Sequence, residues 1–205
     1  CVAPGYNFQY DWFEDFEGGD GGFTVSGATT TWQWGAPTSG PGAAHSGANV
    51  WATNLSGNYL ISENGYVTSP VIDLSGFAGA TMVLNWYQWA QTESGYDYIS
   101  VEASNNGGTT WNVVYGPLSG AIDTAWAKKT VVLPTSYAVS NFQMRFHFTS
   151  DSSVVYPGWY IDDIGLSAQY PPPPTVVYDQ NFDANDGGYT HSGTADEWQW
   201  GVPTT

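Results

Sequence analysis

A segment near the start of this chain is repeated near its end. The stretch TWQWGAPT at 31–38 returns as EWQWGVPT at 197–204, and residues 16–38 align with 182–204 without a gap. The period of about 166 residues is far longer than the roughly 20 to 50 residues of solenoid or propeller units. The sequence therefore predicts one complete module followed by the beginning of a second.

Strand patterns dominate the first module. Apolar and polar residues alternate through 142–148 and again through 97–104, which is the period of a half-buried strand. Turn-forming clusters such as Asn105–Gly108 separate such runs, and no stretch of a dozen residues has the spacing of an amphipathic helix. These patterns predict an all-β fold, a two-sheet antiparallel β-sandwich followed by the first strands of a second copy.

The domain boundaries follow from the repeat and from one proline run. Pro171 to Pro174 favour an extended spacer because successive prolines cannot join a sheet ladder. We therefore divide the chain into an N-terminal segment, a β-sandwich, a proline-rich linker and an incomplete second repeat, at 1–10, 11–170, 171–175 and 176–205.

The charge of the chain limits its partners. It has 19 acidic residues against 3 Lys and Arg, for a net charge of −16. Nucleic acid and anionic membranes bind through basic residues, so both are excluded and cations are favoured as small partners. No apolar run has the roughly 18 residues of a membrane span. Cys1 is the only cysteine, so it is lipid-modified, an intermolecular thiol or the edge of a fragment.

Several motifs then occur in a familiar order. The series resembles the MAM domain, and more closely its bacterial relatives without the animal cysteine pattern: FEDFEGG, WQWG, HSGANVWAT, YLISENGYVTSPVIDLSG, LNWYQW, YDYISVEASNNGGTTW, FQMRFHFTSD and GWYIDDIGL. Those relatives are MAM-like jelly-roll modules of secreted surface proteins and of the C-terminal ends of immune inhibitor A type metallopeptidases. The resemblance implies a concanavalin-like β-sandwich, an extracellular or cell-surface location, and adhesion or recognition rather than catalysis.

One motif carries adjacent carboxylates. In 158–166, strict alternation would place Ile161 and Ile164 on opposite faces of a strand, so we predict a bulge at Asp162 and Asp163 that returns both isoleucines to the core. Two adjacent carboxylates at a bulge repel each other unless something cationic lies between them.

A structural calcium ion is the cofactor that these carboxylates suggest. The resemblance implies that the first and last strands are neighbours, which brings Glu17 near Asp163 with Asp162 at the margin. Carbonyls around 45–47 would complete an all-oxygen site. The alternative is that Glu17 and Asp163 are exposed or accept hydrogen bonds from backbone amides. Secondary metal candidates at strand ends are Asp97 and Asp151.

The motifs of common hydrolases are missing. The sequence has no HExxH pair, no Gly-x-Ser-x-Gly elbow and no E-x-D-x-E strand, so we predict a protein that is not an enzyme. Its eleven tryptophans suggest carbohydrate binding as another function, because exposed aromatic rings form platforms on which sugars stack. The candidates for stacking are Trp32, Trp34 and Trp51, against the alternative that they pack in the core or in turns.

The incomplete repeat needs a partner. Alone, the segment 176–205 would expose four aromatic side chains, Phe182, Tyr189, Trp198 and Trp200. It is a fragment of a longer array, it folds back on the first module, or it supplies strands to another copy. Our hypothesis is the last, which predicts a structural or adhesive repeat assembling head to tail into a filament. The alternative is a carbohydrate-binding or substrate-docking accessory module of a secreted hydrolase, with a glycan or protein partner.

Overall fold

A computed structural model of the protein describes residues 11–170, 182–195 and 197–202. The chain forms two compact units, Cys1–Tyr170 and Pro171–Thr205. The N-terminal segment 1–10, the linker 171–175 and residues 176–181, 196 and 203–205 lie outside the described residues. The predictions made for those positions are not addressed by the structure.

The first unit consists of strands joined by loops and two single-turn 3-10 helices. The helices are Ser75–Phe77 and Thr135–Tyr137. The strands are β1 (Trp12–Glu14), β2 (Thr24–Ala28), β3 (Gln33–Gly35), β4 (Val50–Ala52), β5 (Asn64–Thr68), β6 (Thr81–Gln91), β7 (Tyr98–Ser104), β8 (Asn112–Leu118), β9 (Ala121–Leu133), β10 (Gln143–Thr149) and β11 (Gly158–Gln169). None of the helices in the described ranges is long and apolar enough to cross a membrane.

The strands form two antiparallel sheets. One has six strands in the order β3-β4-β11-β6-β9, with β1 also pairing with β11, and the other has five in the order β2-β5-β10-β7-β8. The predicted two-sheet antiparallel β-sandwich is therefore confirmed. The expected neighbourhood of the first and last strands is also present, because Glu14 pairs with Ile164.

The core lies between the sheets and is rich in aromatic rings. On β10, Met144, Phe146 and Phe148 are fully buried while the residues between them keep partial exposure. Phe146 lies edge-on to Trp86 and Trp159, with centroid distances of 6.0 and 5.4 Å. Burial of such rings is the main stabilising contribution to a core of this kind.

The predicted bulge on β11 is present. The pairing of β11 with β6 shifts register between Asp162 and Gly165, and Asp163 has a positive φ of 48°. Ile161 and Ile164 both lie in the core with no exposed surface. The extra residue therefore turns both isoleucines inward and leaves Asp162 and Asp163 side by side at the margin.

In the second unit, the described residues form turns and bends without an assigned strand. In the first module, β2 pairs with β5 and β3 pairs with β4. Residues 182–202 correspond only to the opening part of that module, so the strands that would pair with them have no counterpart within this range. The strands expected for the second copy are absent from the described part of the segment for that reason.

Candidate binding face and carboxylate clusters

The outer face of the five-stranded sheet, called the open face below, keeps contact with solvent. All five residues of β2 are exposed, and the outward residues of β10 are half-buried. The outward side chains of the three central strands are Asn64, Tyr66 and Thr68 of β5, Gln143, Arg145, His147 and Thr149 of β10, and Tyr98, Ser100, Glu102 and Ser104 of β7. The face therefore presents a row of polar and aromatic side chains on a rigid sheet.

An ion-pair network crosses the centre of this face. Nη2 and Nε of Arg145 lie 2.5 and 2.6 Å from Oε2 of Glu102. His147 Nδ1 lies 3.1 Å from Oε1 of the same carboxylate, and its Nε2 lies 2.9 Å from Oδ1 of Asn64. Burial lowers the pKa of His147 because it disfavours the charged ring, and the carboxylate of Glu102 partly opposes this.

Planar groups stack along the same row. The guanidinium carbon of Arg145 lies 4.1 Å from the ring centroid of Tyr66 and 4.2 Å from that of Trp111. The His147 ring stacks on Tyr66 at 4.1 Å with an interplanar angle of 20°. Cation–π and stacking contacts hold such groups in fixed positions. The open face is thus a preorganised array of amide, carboxylate, guanidinium, imidazole and aromatic groups.

Sequence reasoning missed this array. The alternation through 142–148 places Arg145 and His147 on the polar face of one strand, as the structure shows. Nothing in the sequence indicated that they contact Tyr66, Glu102 and Trp111. Tyr66, Glu102 and Arg145 are far apart in the chain and meet through the register of β5, β10 and β7. Trp111 comes from the loop before β8.

Part of the outer face of the six-stranded sheet, called the covered face below, is packed under loops. Its strands contribute Trp89 and Tyr160, which are 6% and 0% exposed and form a second apolar cluster with Val50 and Ala52. The Tyr160 hydroxyl donates to the carbonyl of Asn54 at 2.8 Å. This face therefore has a structural role.

One glycine permits the covering loop to lie so close. A β-carbon at Gly40 would lie 2.4 Å from the ring of Tyr160, and Gly40 has a φ of 59°. Any other residue would both strain the backbone and push the loop off the ring.

The carboxylates of Asp162 and Asp163 meet the loop at 45–46 on the covered face. Asp162 Oδ2 accepts hydrogen bonds from the backbone N–H groups of His45 and Ser46 at 2.9 and 3.1 Å. Asp163 lies 2.5 Å from Nδ1 of His45 and accepts from the Ser46 hydroxyl at 2.8 Å. The His45 ring also stacks on Tyr87 at 3.4 Å. The two carboxylates thus fasten the loop to the bulge.

Burial has a marked effect on Asp162, which has no exposed surface. It raises the pKa of Asp162 to about 7, and the negative charge of Asp163 contributes in the same direction. The N–H groups of Ser46, Asp163 and His45 oppose the rise by donating to the carboxylate. The carboxyl therefore titrates near neutral pH.

Glu17 contacts the next residues of the same loop. Its Oε1 accepts from the backbone N–H groups of Ala48 and Asn49 at 2.9 and 2.7 Å. The loop turns tightly at Gly47, where a β-carbon would lie 2.2 Å from the Glu17 carboxyl carbon. These contacts agree with the alternative stated for Glu17, a carboxylate that accepts hydrogen bonds from backbone amides. The calcium set of Glu17 with Asp162, Asp163 and loop carbonyls stays a prediction. At the bulge, the ligand atoms of His45, Asp162 and Asp163 lie within 4.8 Å of one another, which is close enough to hold a metal ion.

The secondary candidates Asp97 and Asp151 do lie together, with Glu93, at the loop end of the sandwich. Their ligand oxygens are all within 4.8 Å of one another. Asp97 is fully buried, accepts from the Tyr59 hydroxyl, and accepts from the Asp151 backbone N–H at 2.7 Å. Burial and the hydrogen bond to Asp97 raise the pKa of Tyr59, so its hydroxyl keeps its proton. Ser153 Oγ donates to Asp151 at 2.9 Å. This is an all-oxygen donor set.

The three tryptophans considered for stacking differ in exposure. Trp32 and Trp51 are each 5% exposed and their indole N–H groups donate to the carbonyls of Gly65 and Asp20. Both are core residues with no ring face available to a sugar, so the stacking prediction is wrong for them. Trp34 is 39% exposed, with its N–H donating to the Phe16 carbonyl at 3.1 Å. A stacking role for Trp34 stays a prediction.

The four aromatic residues expected to mediate assembly lie in the second unit. Phe182, Tyr189, Trp198 and Trp200 are 45, 59, 80 and 54% exposed, and all four line one hollow. Phe182 and Tyr189 are 5.6 Å apart between ring centroids, and the Trp200 N–H donates to the Phe182 carbonyl at 2.8 Å. They form one aromatic group; their role in assembly stays a prediction.

Comparisons with known proteins agree with this architecture. No protein family model matches the chain. Bacillopeptidase F of Bacillus subtilis (strain 168) is 35% identical over 166 residues, which covers 81% of this chain and 11% of that protein. The chain therefore corresponds to only a small part of this relative.

Two solved structures share the fold at low sequence identity. The K1 cleaved adhesin domain of Lys-gingipain from Porphyromonas gingivalis W83 has a TM-score of 0.50 and 18% identity, covering 77% of this chain and 98% of the domain. A xylan-binding domain of carbohydrate-binding module family 22 has a TM-score of 0.51 and 13% identity, covering 80% and 97%. The chain thus contains a β-sandwich module of the kind found in adhesin and carbohydrate-binding domains, and its MAM-like character stays a prediction.

Proposed function

We propose that this chain is a non-catalytic, extracellular accessory module that binds a neutral glycan through the open face. The observation that carries the proposal is the array at the centre of that face, where Arg145, Tyr66 and Trp111 stack and Glu102 anchors Arg145 and His147. Fixed polar groups next to aromatic surface are what recognition of a sugar requires.

Charge and fold support the same choice. A net charge of −16 repels polysaccharides that carry carboxylate or sulfate groups, so a neutral glycan is the favoured ligand class. The xylan-binding domain and the adhesin domain share the sandwich, and the relative named bacillopeptidase F contains a matching segment. A secreted, MAM-like module that directs a larger protein to a polysaccharide accounts for these similarities.

Affinity electrophoresis tests this proposal. We expect soluble arabinoxylan, galactan or mixed-linkage β-glucan to retard the wild-type chain, and we expect Tyr66→Ala and Arg145→Ala to lose most of that retardation. Phe13→Ala is the matched control, because Phe13 is a 46% exposed aromatic residue on the other sheet. If none of these polysaccharides retards the protein, or if Tyr66→Ala and Phe13→Ala behave alike, the open face is not the binding site.

We also propose that a structural calcium ion binds at the loop end rather than at the bulge. Calcium prefers oxygen ligands, and Glu93, Asp97 and Asp151 offer only oxygen atoms, whereas the bulge cluster includes the His45 nitrogen. The ion would join the loops that carry these three carboxylates and relieve the repulsion between them.

Thermal unfolding with calcium and with a chelator checks the metal. We expect calcium to raise the Tm of the wild-type chain and of Asp162→Asn, and to have little effect on Glu93→Gln, which removes one partly exposed carboxylate of the set. An equal calcium response in Glu93→Gln and the wild type would show that the ion binds elsewhere.

A further inference from the structure

The second segment repeats several backbone φ values of the first. Phe16 and Phe182 have φ values of 61° and 60°. Gly35 and Gly201, both at φ near the mirror image of extended backbone, have values of 146° and 145°. The double-glycine turn is also repeated, at 67° and 70° in the first copy and 67° and 74° in the second.

Side-chain contacts within the two segments are repeated as well. The Trp34 N–H donates to the Phe16 carbonyl at 3.1 Å, as the Trp200 N–H does to Phe182 at 2.8 Å. The centroid distance between Phe16 and its partner ring at position 23 is 5.4 Å, against 5.6 Å in the second copy. The described residues of the second segment therefore share these local turns and contacts with residues 16–36, which help to complete the first sandwich.

In the first module, the aromatic residues of the segment 16–36 are buried in the core. Phe16, Phe23 and Trp32 are 0, 4 and 5% exposed, and the Trp32 N–H donates to the carbonyl of Gly65 on β5 at 3.3 Å. The segment is thus an integral part of the core.

The buried Glu63 accepts hydrogen bonds from one residue of the opening segment, Thr31. Glu63 is 2% exposed, and its Oε1 accepts from the Thr31 hydroxyl at 2.5 Å and from the Leu60 N–H at 2.5 Å. Its Oε2 accepts from the Thr31 N–H at 3.0 Å. Thr31 therefore supplies two of the donors that satisfy this buried carboxylate.

The second copy has Glu197 at the place of Thr31. An ionised carboxylate has no hydrogen to donate. Docked in the same way, Glu197 would leave Glu63 without the hydroxyl donor, and it would bring a second negative charge next to this buried carboxylate at a position that is only partly exposed. Like charges in such surroundings are strongly unfavourable.

We propose that residues 182–202 complete a β-sandwich other than this one. The fitting partner is the body of a second module of this fold whose residue at the place of Glu63 carries N–H donors, as Lys, Arg or Gln does. Glu197 then accepts hydrogen bonds from that residue, so positions 31 and 197 act as a pairing code between an opening segment and its body. The code opposes exchange of the segment between identical copies, and therefore opposes the filament hypothesis in its simplest form.

The pairing code can be tested in the full chain by replacing Thr31 with glutamate, the residue found at the corresponding position 197. We expect Thr31→Glu to raise the unfolding equilibrium constant at neutral pH at least about tenfold more than Thr31→Val, which removes only the hydroxyl donor. Adding Glu63→Gln to Thr31→Glu should restore most of that loss, because the amide can donate to the new carboxylate. Equal unfolding constants for Thr31→Glu and Thr31→Val, or no recovery in the double variant, would overturn the proposal.

Sedimentation velocity provides an independent check on exchange between identical copies. We expect that the C-terminal segment does not link wild-type chains to one another. Trp198→Ala should therefore leave the distribution of sedimentation coefficients unchanged. A wild-type oligomer that Trp198→Ala dissociates would show that Glu63 accepts the second segment and would refute the code.

Discussion

The outer faces of the two sheets carry similar residue types but differ in what lies over them. On the covered face, Trp89 and Tyr160 are packed under loops and are 6% and 0% exposed. On the open face, Tyr98 is 38% exposed and Tyr66 is half-buried. Aromatic residues therefore stabilise one face and remain partly exposed to solvent on the other. Substitutions should separate these two roles.

The largest effect is expected from Trp89→Ala on the covered face. Removal of a buried indole leaves a cavity, and such changes cost about 3–5 kcal/mol of unfolding free energy. Tyr66→Ala on the open face should cost much less, because that ring is only partly buried. Urea unfolding followed by tryptophan fluorescence measures both. A Trp89→Ala variant that is as stable as Tyr66→Ala would mean that the loops do not pack as described.

The features that could be predicted from the sequence are local. Alternation through 142–148 located β10, and the spacing of Ile161 and Ile164 located the bulge, because both depend on the two-residue period of a strand. The partners of Glu17 could not be identified in this way, because they are backbone N–H groups whose direction depends on the turn at Gly47. A loop's hydrogen-bond direction leaves little trace in residue type.

The open face shows the other limit. Tyr66, Glu102 and Arg145 belong to strands that are adjacent only because of the sheet order β5-β10-β7. A single sequence indicates which residues point outward, but it does not specify which strands are neighbours or their register. The array could therefore be recognised only after the strands had been paired.

The two faces should also differ in the pH dependence of stability, and Asp162 sets the sign on the covered face. Its folded pKa is raised from 3.8 to about 7, so between these values the folded state binds more protons than the unfolded state. Stability from this group is present below about pH 4 and is lost as pH rises through 7. We expect Asp162→Asn, measured with a chelator present, to gain stability relative to the wild type as pH rises from 4 to 8. A difference between the two proteins that does not vary with pH would show that Asp162 stays ionised throughout.

The smallest effect is expected at His147 on the open face, with the opposite sign. Burial lowers its folded pKa below the ordinary value of 6.5, so the unfolded state binds more protons in that window. Stability from the neutral ring is present above about pH 6.5 and is lost as pH falls through the folded pKa. His147→Gln keeps a planar group that can bond to Asn64 without titrating, so its stability relative to the wild type should rise as pH falls from 7 to 5. Chemical unfolding at several pH values measures this, with Asp162→Asn in parallel. If the stabilities of both variants relative to the wild type change in the same direction with pH, then the pKa values of Asp162 and His147 are not shifted in the directions described above.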